Sequence, residues 1–381
     1  MNDSRAIACV TDDATADVAA DAGGAPDVAK KPRRVCGNPA ALEKAVFTSR
    51  ETRAIGLQAS LAALLLMDRL RFIRTIDLAF HLYANRTFTA ALAAANNLIK
   101  RLTRNGFVSA HTTRVGGMRI YGIAQSGVNF LRDHTGHEAK AHRSLRDVKN
   151  PEHRLWANLI VIAAEARGLS AMTESEVLRY ERERGEVVSD GRGGESVIPR
   201  KLLTVINRRE PDKRKGLTPD AMLLHGSDRI VIEIDNSKRS ADRAADLRAL
   251  VACVGTSAGT DGGTNLFDGT RLARVVVFTK ERRCYIHITG MLRKKSRERI
   301  ERASTYLKAA ANDGVFDVWF RPSISEDRPG QPAQDRRCGQ VQVLMLPDIR
   351  GKGEGWYDQD WLPFAQFDEQ LWAPVPRRGE D

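Results

Sequence analysis

Aromatic residues are scarce in this chain, 6% of the total, which argues against a base-stacking platform for single strands. The five cysteines, Cys9, Cys36, Cys253, Cys284 and Cys338, are scattered, with no C-x-x-C pair and no Cys/His zinc spacing. That pattern excludes a disulfide framework and a zinc module, and it implies reduced thiols. Long apolar runs are missing too. The longest, Leu61 to Met67, falls far short of the ~20 residues that span a bilayer, and the N-terminus lacks a signal-peptide apolar core. Together these absences predict a cytoplasmic protein without a membrane partner.

What is abundant is positive charge. Lys and Arg number 60 against 48 Asp and Glu, a formal charge of +12, with a pI near 9.7. Such a balance favours a polyanionic partner, with double-stranded DNA first. At 381 residues and 42% hydrophobic the chain can bury ordinary cores in two domains.

The most informative stretch is Leu217 to Lys238, LTPDAMLLHGSDRIVIEIDNSK. Two β-rich runs flank the turn residues His225-Gly226-Ser227-Asp228, so a hairpin is expected. Side chains alternate along a strand, which sets Glu233 and Asp235 on one face. Asp220 then lies at the open end near both. Three carboxylates at one edge repel unless a hard cation such as Mg²⁺ or Mn²⁺ sits among them. A solvated strand edge is the plainer alternative.

Upstream, residues 1–45 are Ala-, Asp- and Gly-rich and are read as a disordered tail. Residues 46–135 carry three helical patterns and a hairpin. Leu57, Leu61, Leu64, Leu65 and Leu70 recur at helical spacing. A short helix begins at Thr75, and a third runs from about Thr89 to Arg104, closed by Asn105-Gly106. Phe107 to Ala110 and Met118 to Ile123 read as strands around Val115-Gly116-Gly117, with a short helix at 125–131 after them. That order is a winged helix-turn-helix, whose third helix enters the major groove. Asn96, Asn97, Lys100, Arg101 and Arg104 on that helix suit base edges, and Arg114 and Arg119 on the hairpin suit phosphates. A protein-docking module is the alternative.

Residues 136–152 form a basic linker whose histidines fit no metal-ligand spacing. A buried helix follows at 155–167, then a charged stretch from 176 to 195 read as a loop. Further elements are a helix at 241–253, the buried strand RVVVF at 274–278, a basic helix at 293–311 and strands at 315–320 and 341–346. The Gly-rich run at 254–270 lacks the lysine of a phosphate-cradling loop. Residues 351–381 hold three of the five Trp and form an aromatic C-terminal segment. The fold class expected is α+β, with a winged helix-turn-helix ahead of an α/β domain built on a central mixed sheet.

The order helix, hairpin with PD then E-x-D, helix, strand resembles the restriction-endonuclease-like core of the PD-(D/E)XK nucleases, here over residues 153–350. With the winged helix in front, the chain from about 55 to 280 resembles the plasmid replication-relaxation family, which includes mobilisation relaxases of the C type. The matching pieces are RFIRTIDLA, LTRNGFV with GGMRIYGIAQSGVNFL, His153-Arg154-Leu155 and PDAMLLHGSDRIVIEID. The resemblance implies a metal-dependent DNA nuclease or nickase, with Asp220, Glu233 and Asp235 as Mg²⁺ or Mn²⁺ ligands. It also implies an upstream acid, Glu174 before Glu176 or Glu165. The chain departs from the family at Asp235, where lysine is usual; Lys238 is the nearest replacement, with Arg239 and Arg243 behind it. A catalytically inactive DNA-binding accessory or regulatory protein is therefore the second expectation. A partner-binding component of a mobile-element or defence complex is the third.

Overall fold

The structure is a computed structural model. It describes residues 39–113, 117–141, 151–189, 195–206, 214–235, 241–255, 270–297, 305–321, 335–346 and 371–372. The chain divides into two compact units, Met1–Arg53 and Ala54–Asp381. Apart from the start of α1, the elements below lie in the second.

Seven strands form one mixed sheet. In spatial order they are β11 (Thr305–Ala309), β12 (Val315–Phe320), β13 (Arg336–Met345), β10 (Arg271–Thr279), β9 (Asp228–Asp235), β8 (Ala221–His225) and β3 (Ser170–Thr173). The middle strands β9, β10 and β13 run parallel, and the flanking pairs are antiparallel. Parallel strands need both faces covered, which is why β10 reads as an unbroken apolar run. Helix α5 (Pro151–Glu165) covers one face, where Trp156, Leu159, Ile160 and Ala163 meet Ile230, Ile232, Ile234, Val276 and Phe278. Helices α7 (Ala241–Ala252) and α8 (Arg282–Arg297) cover the other, with Leu247, Val251, Ile288 and Leu292 against Val231, Val275 and Val277. Outside the sheet, β4 (Glu186–Ser189) pairs with β5 (Glu195–Ile198), and β6 (Leu203–Ile206) with β7 (Arg214–Leu217).

Ahead of the sheet come α1 (Pro39–Leu70), α2 (Thr75–Leu82), α3 (Phe88–Arg104), the antiparallel pair β1 (Val108–Thr112) and β2 (Arg119–Ile123), and α4 (Gln125–Thr135). Helix α3 stops where expected, with Gly106 at φ +72°, a conformation that glycine adopts without strain. Ile73 makes one further antiparallel bridge to Tyr121 of β2. This helical layer and α5 share one continuous apolar core. At the seam stands Asn158, 2% exposed, whose Nδ2 donates to the carbonyls of Leu70 at 3.3 Å and Phe72 at 3.1 Å. The basic linker expected between the two halves falls largely at 142–150, outside the described residues.

Two expectations are corrected. The charged stretch that follows Glu176 is not a loop throughout: α6 (Glu174–Glu183) takes its first part and β4, paired with β5, comes next. Thr173 caps α6 in a box with Glu176. Val177 and Glu181 are buried, Glu181 by accepting from Lys201 Nζ at 2.7 Å and the Leu202 amide at 3.0 Å. The basic helix expected at 293–311 is likewise shifted, because α8 ends at Arg297 and residues 305–309 form β11. Leu307 turns inward to the α8-side core while Lys308 stays exposed, a period of two that pairs with β12 instead of extending a helix. No described helix is long and apolar enough to cross a membrane.

Candidate functional site

The β8–β9 register pairs Ala221 with Ile232, which continues to set Asp220 across from Glu233. Asp220 lies just before the strand, after Pro219, whose missing N–H keeps it out of a ladder. Its carboxylate closes the end of the pair. Oδ2 accepts from the Ile234 amide at 2.7 Å, and Oδ1 lies 2.7 Å from His153 Nε2 in the first turn of α5. The Asp220 carbonyl accepts from the Glu174 amide at 3.2 Å. One residue thus joins β9, α5 and α6.

Charged groups gather around that junction. Arg154 Nη2 donates to Glu174 Oε2 at 2.9 Å. Burial works against a charge on His153, but the hydrogen bond and charge of Asp220, helped by Glu174, outweigh it and raise the imidazole above its ordinary value. Arg154 is shifted the other way. Burial lowers its guanidinium most, the neighbouring charge of Arg71 lowers it further, and Glu174 and Asp220 oppose both. Lys280 follows the last residue of β10, and its Nζ bonds Glu152 Oε1 at 2.6 Å. All of these lie at or near the carboxyl end of the parallel strands, the end at which open α/β sheets bind ligands.

Glu233 and Asp235 alternate with Ile232 and Ile234 and share the side of Val231, the face covered by α7 and α8. Asp235 is 4% exposed. It raises the Cys284 thiol on α8, second to the effect of burial there. The carboxylate of Asp220, in contrast, is engaged with α5 on the opposite face. The three carboxylates therefore reach one end of the hairpin but divide between two faces. Among the described residues no group of three or more His, Cys, Asp or Glu side chains is placed to hold a metal ion. In this arrangement they do not make a cage for Mg²⁺ or Mn²⁺.

Of the three upstream acids, only Glu174 stands beside Asp220. Glu165 and Glu176 both hold Arg69, each at 2.7 Å. Lys238 and Arg239 lie outside the described residues, as does the side chain of Arg243. Comparison with family models, with curated proteins and with solved structures finds no match to this chain. The site is therefore read from its own residues.

On α3 the side chains of Asn96, Asn97, Lys100 and Arg104 are exposed. Their spacing by three, four and seven puts them on one stripe, opposite the buried Ala91, Ala95, Leu98 and Leu102. Arg101 is exposed as well, but its guanidinium is engaged with α1, donating to the Gly56 carbonyl at 3.0 Å and Ser60 Oγ at 3.1 Å. Arg119 opens β2 with its guanidinium 5.8 Å from the Tyr121 ring centre. Arg114 falls outside the described residues.

Sequence reasoning missed the parts played by His153, Arg71 and Lys280. His153 and Asp220 are 67 residues apart, and no local spacing joins them. Lys280 did carry a signal, since it directly follows a buried parallel strand, where site residues are expected.

Proposed function

We propose that this chain binds double-stranded DNA through α3 and the β1–β2 hairpin, acting as a winged helix-turn-helix on a nuclease-like scaffold. The observation that carries the reading is the exposed stripe of α3. Asn97, Lys100 and Arg104 project from a helix whose opposite side is buried, with Arg119 on the adjoining hairpin. Asparagine and basic side chains on one helix face suit base edges and phosphates in a major groove. The net charge of +12 supplies salt-sensitive attraction to any duplex. The resemblance to the plasmid replication-relaxation family points the same way.

The test is duplex binding by fluorescence anisotropy over a salt series. Lys100→Gln with Arg104→Gln should weaken binding by about ten-fold or more, each such contact being worth ~1–3 kcal/mol. Unchanged affinity in the double variant would sink the reading.

A second reading, hydrolysis of the phosphodiester, is favoured by Asp220, His153 and the Arg154–Glu174 pair standing near the carboxyl end of the parallel strands. Nicking of supercoiled plasmid with Mn²⁺ decides it, comparing wild type with Asp220→Asn. Nicking that needs Asp220 supports hydrolysis. A folded chain that binds duplex but never nicks it leaves a DNA-binding accessory protein.

A further inference from the structure

Arg71 is the one non-glycine residue with a positive φ, +70°, among the described residues. It directly follows Leu70, the last residue of α1, a position at which helices commonly end in a left-handed residue. Its surroundings are known. The carbonyls of Leu70 and Phe72, on either side of it, both accept from Asn158 Nδ2, so Asn158 fixes the Arg71 backbone against α5. Arg154 precedes Asn158 by four residues on α5 and therefore lies on the same stripe, one turn nearer the helix start. The Arg71 backbone is thus held about one helical turn from Arg154, and the charge of Arg71 acts on the Arg154 guanidinium.

Two charged pairs stand beside this point. Arg154 bonds Glu174, and His153 bonds Asp220. Arg71 is exposed and forms no hydrogen bond or ion pair with any described residue. Among the described residues this charge has no acidic partner, and it stands at the left-handed residue that ends α1, one helical turn from Arg154. An anion bound between two guanidiniums relieves the repulsion between them. A guanidinium pair offers forked N–H donors that suit phosphate oxygens. The place also adjoins the hairpin, because Ile73, two residues on, bridges to Tyr121 of β2.

We propose that Arg71 and Arg154 form a seat for one backbone phosphate of the bound duplex, where the helical layer meets the start of α5. The seat rests on the DNA-binding reading above. It would hold the duplex against the Asp220 junction while α3 reads the groove.

The experiment has two arms, both on the full chain. In the first, the slope of log affinity against log salt is measured for a duplex with wild type, Arg71→Gln, Arg71→Lys and Lys100→Gln. Loss of one phosphate contact lowers the slope by about 0.9. Arg71→Gln should show that drop and Arg71→Lys should recover most of it. In the second arm, the Nε–H resonances of Arg71 and Arg154 are followed by NMR as inorganic phosphate is added, and both should shift in wild type. If Lys100→Gln weakens DNA binding but Arg71→Gln leaves the slope unchanged, the seat is refuted and the DNA-binding reading stands. If wild type binds no duplex, that reading fails and takes the seat with it. Phosphate shifts without a change of slope assign the arginines to a free phosphate and also overturn the proposal.

Discussion

Removing the Asp220 carboxylate tests whether this residue holds the fold together or is spare for chemistry. Asp220→Ala strips the Ile234 amide of its acceptor and His153 of its partner. An orphaned, part-buried N–H costs about 1–3 kcal/mol. A charge-assisted bond contributes about 1.5–3 kcal/mol when enclosed; both side chains are partly exposed, which discounts it to about 1 kcal/mol. The sum is about 2–4 kcal/mol, read as a lower midpoint in urea at unchanged slope. The imidazole part depends on pH with a fixed sign. His153 is raised in the folded chain, so its contribution is complete below the ordinary value of 6.5 and is lost as pH rises through the folded value. The gap between wild type and Asp220→Ala should therefore be largest near pH 6 and shrink by about 1 kcal/mol toward pH 9. Asp220→Asn keeps an acceptor for the amide and should lose mainly the pH-dependent part. A gap below about 0.5 kcal/mol, or one flat from pH 6 to 9, would refute the reasoning.

Asn158→Leu keeps the volume but withdraws donors from two carbonyls at the seam, and should destabilise the chain by about 2–4 kcal/mol. Hydrogen exchange should show α1 and α2 opening before the sheet; protection lost uniformly would contradict that. Glu176 is held below its ordinary value of 4.5: burial opposes this, but Arg69 and Thr173 outweigh it. A depressed carboxylate gives stability that is present above its unfolded value and lost as pH falls through its folded one. Glu176→Gln should therefore be less stable than wild type at pH 7 and converge with it in acid, by thermal unfolding across a pH series.

How much of this was legible in the sequence varies by element. The β8–β9 hairpin was readable because turn residues separate two β-rich runs and Pro219 marks where pairing starts. Strand β10 was readable because both its faces are apolar. The exposed stripe of α3 followed from its helical period. Helix α6 was hidden, since only Val177 and Glu181 are buried in a run that looks solvated, and Glu181 is tolerated there through Lys201. Strand β11 was hidden because basic residues extend an apparent helix beyond Arg297. The direction of the Asp220 side chain could not be read at all. It precedes the strand, so alternation does not govern it, and its partner lies in another helix.

The same geometry bears on Asp235, the position at which the nuclease resemblance leads one to expect a lysine. Asp235 pairs in register with Thr279 and acts on Cys284 of α8. A side chain at this position points into the α7–α8 face, away from the contact between Asp220 and His153. A lysine at 235 would therefore meet α8 and not the Asp220 junction. The cations that do stand beside Asp220 are His153 and, through Glu174, Arg154. The cationic side chains at this edge thus lie at the start of α5 rather than at the end of β9. The same short segment is fixed to the helical layer by Asn158 and, through the Leu155 carbonyl, by Arg74 at 3.2 Å. A duplex held by α3 and the hairpin would be positioned by the body that carries the Asp220 junction.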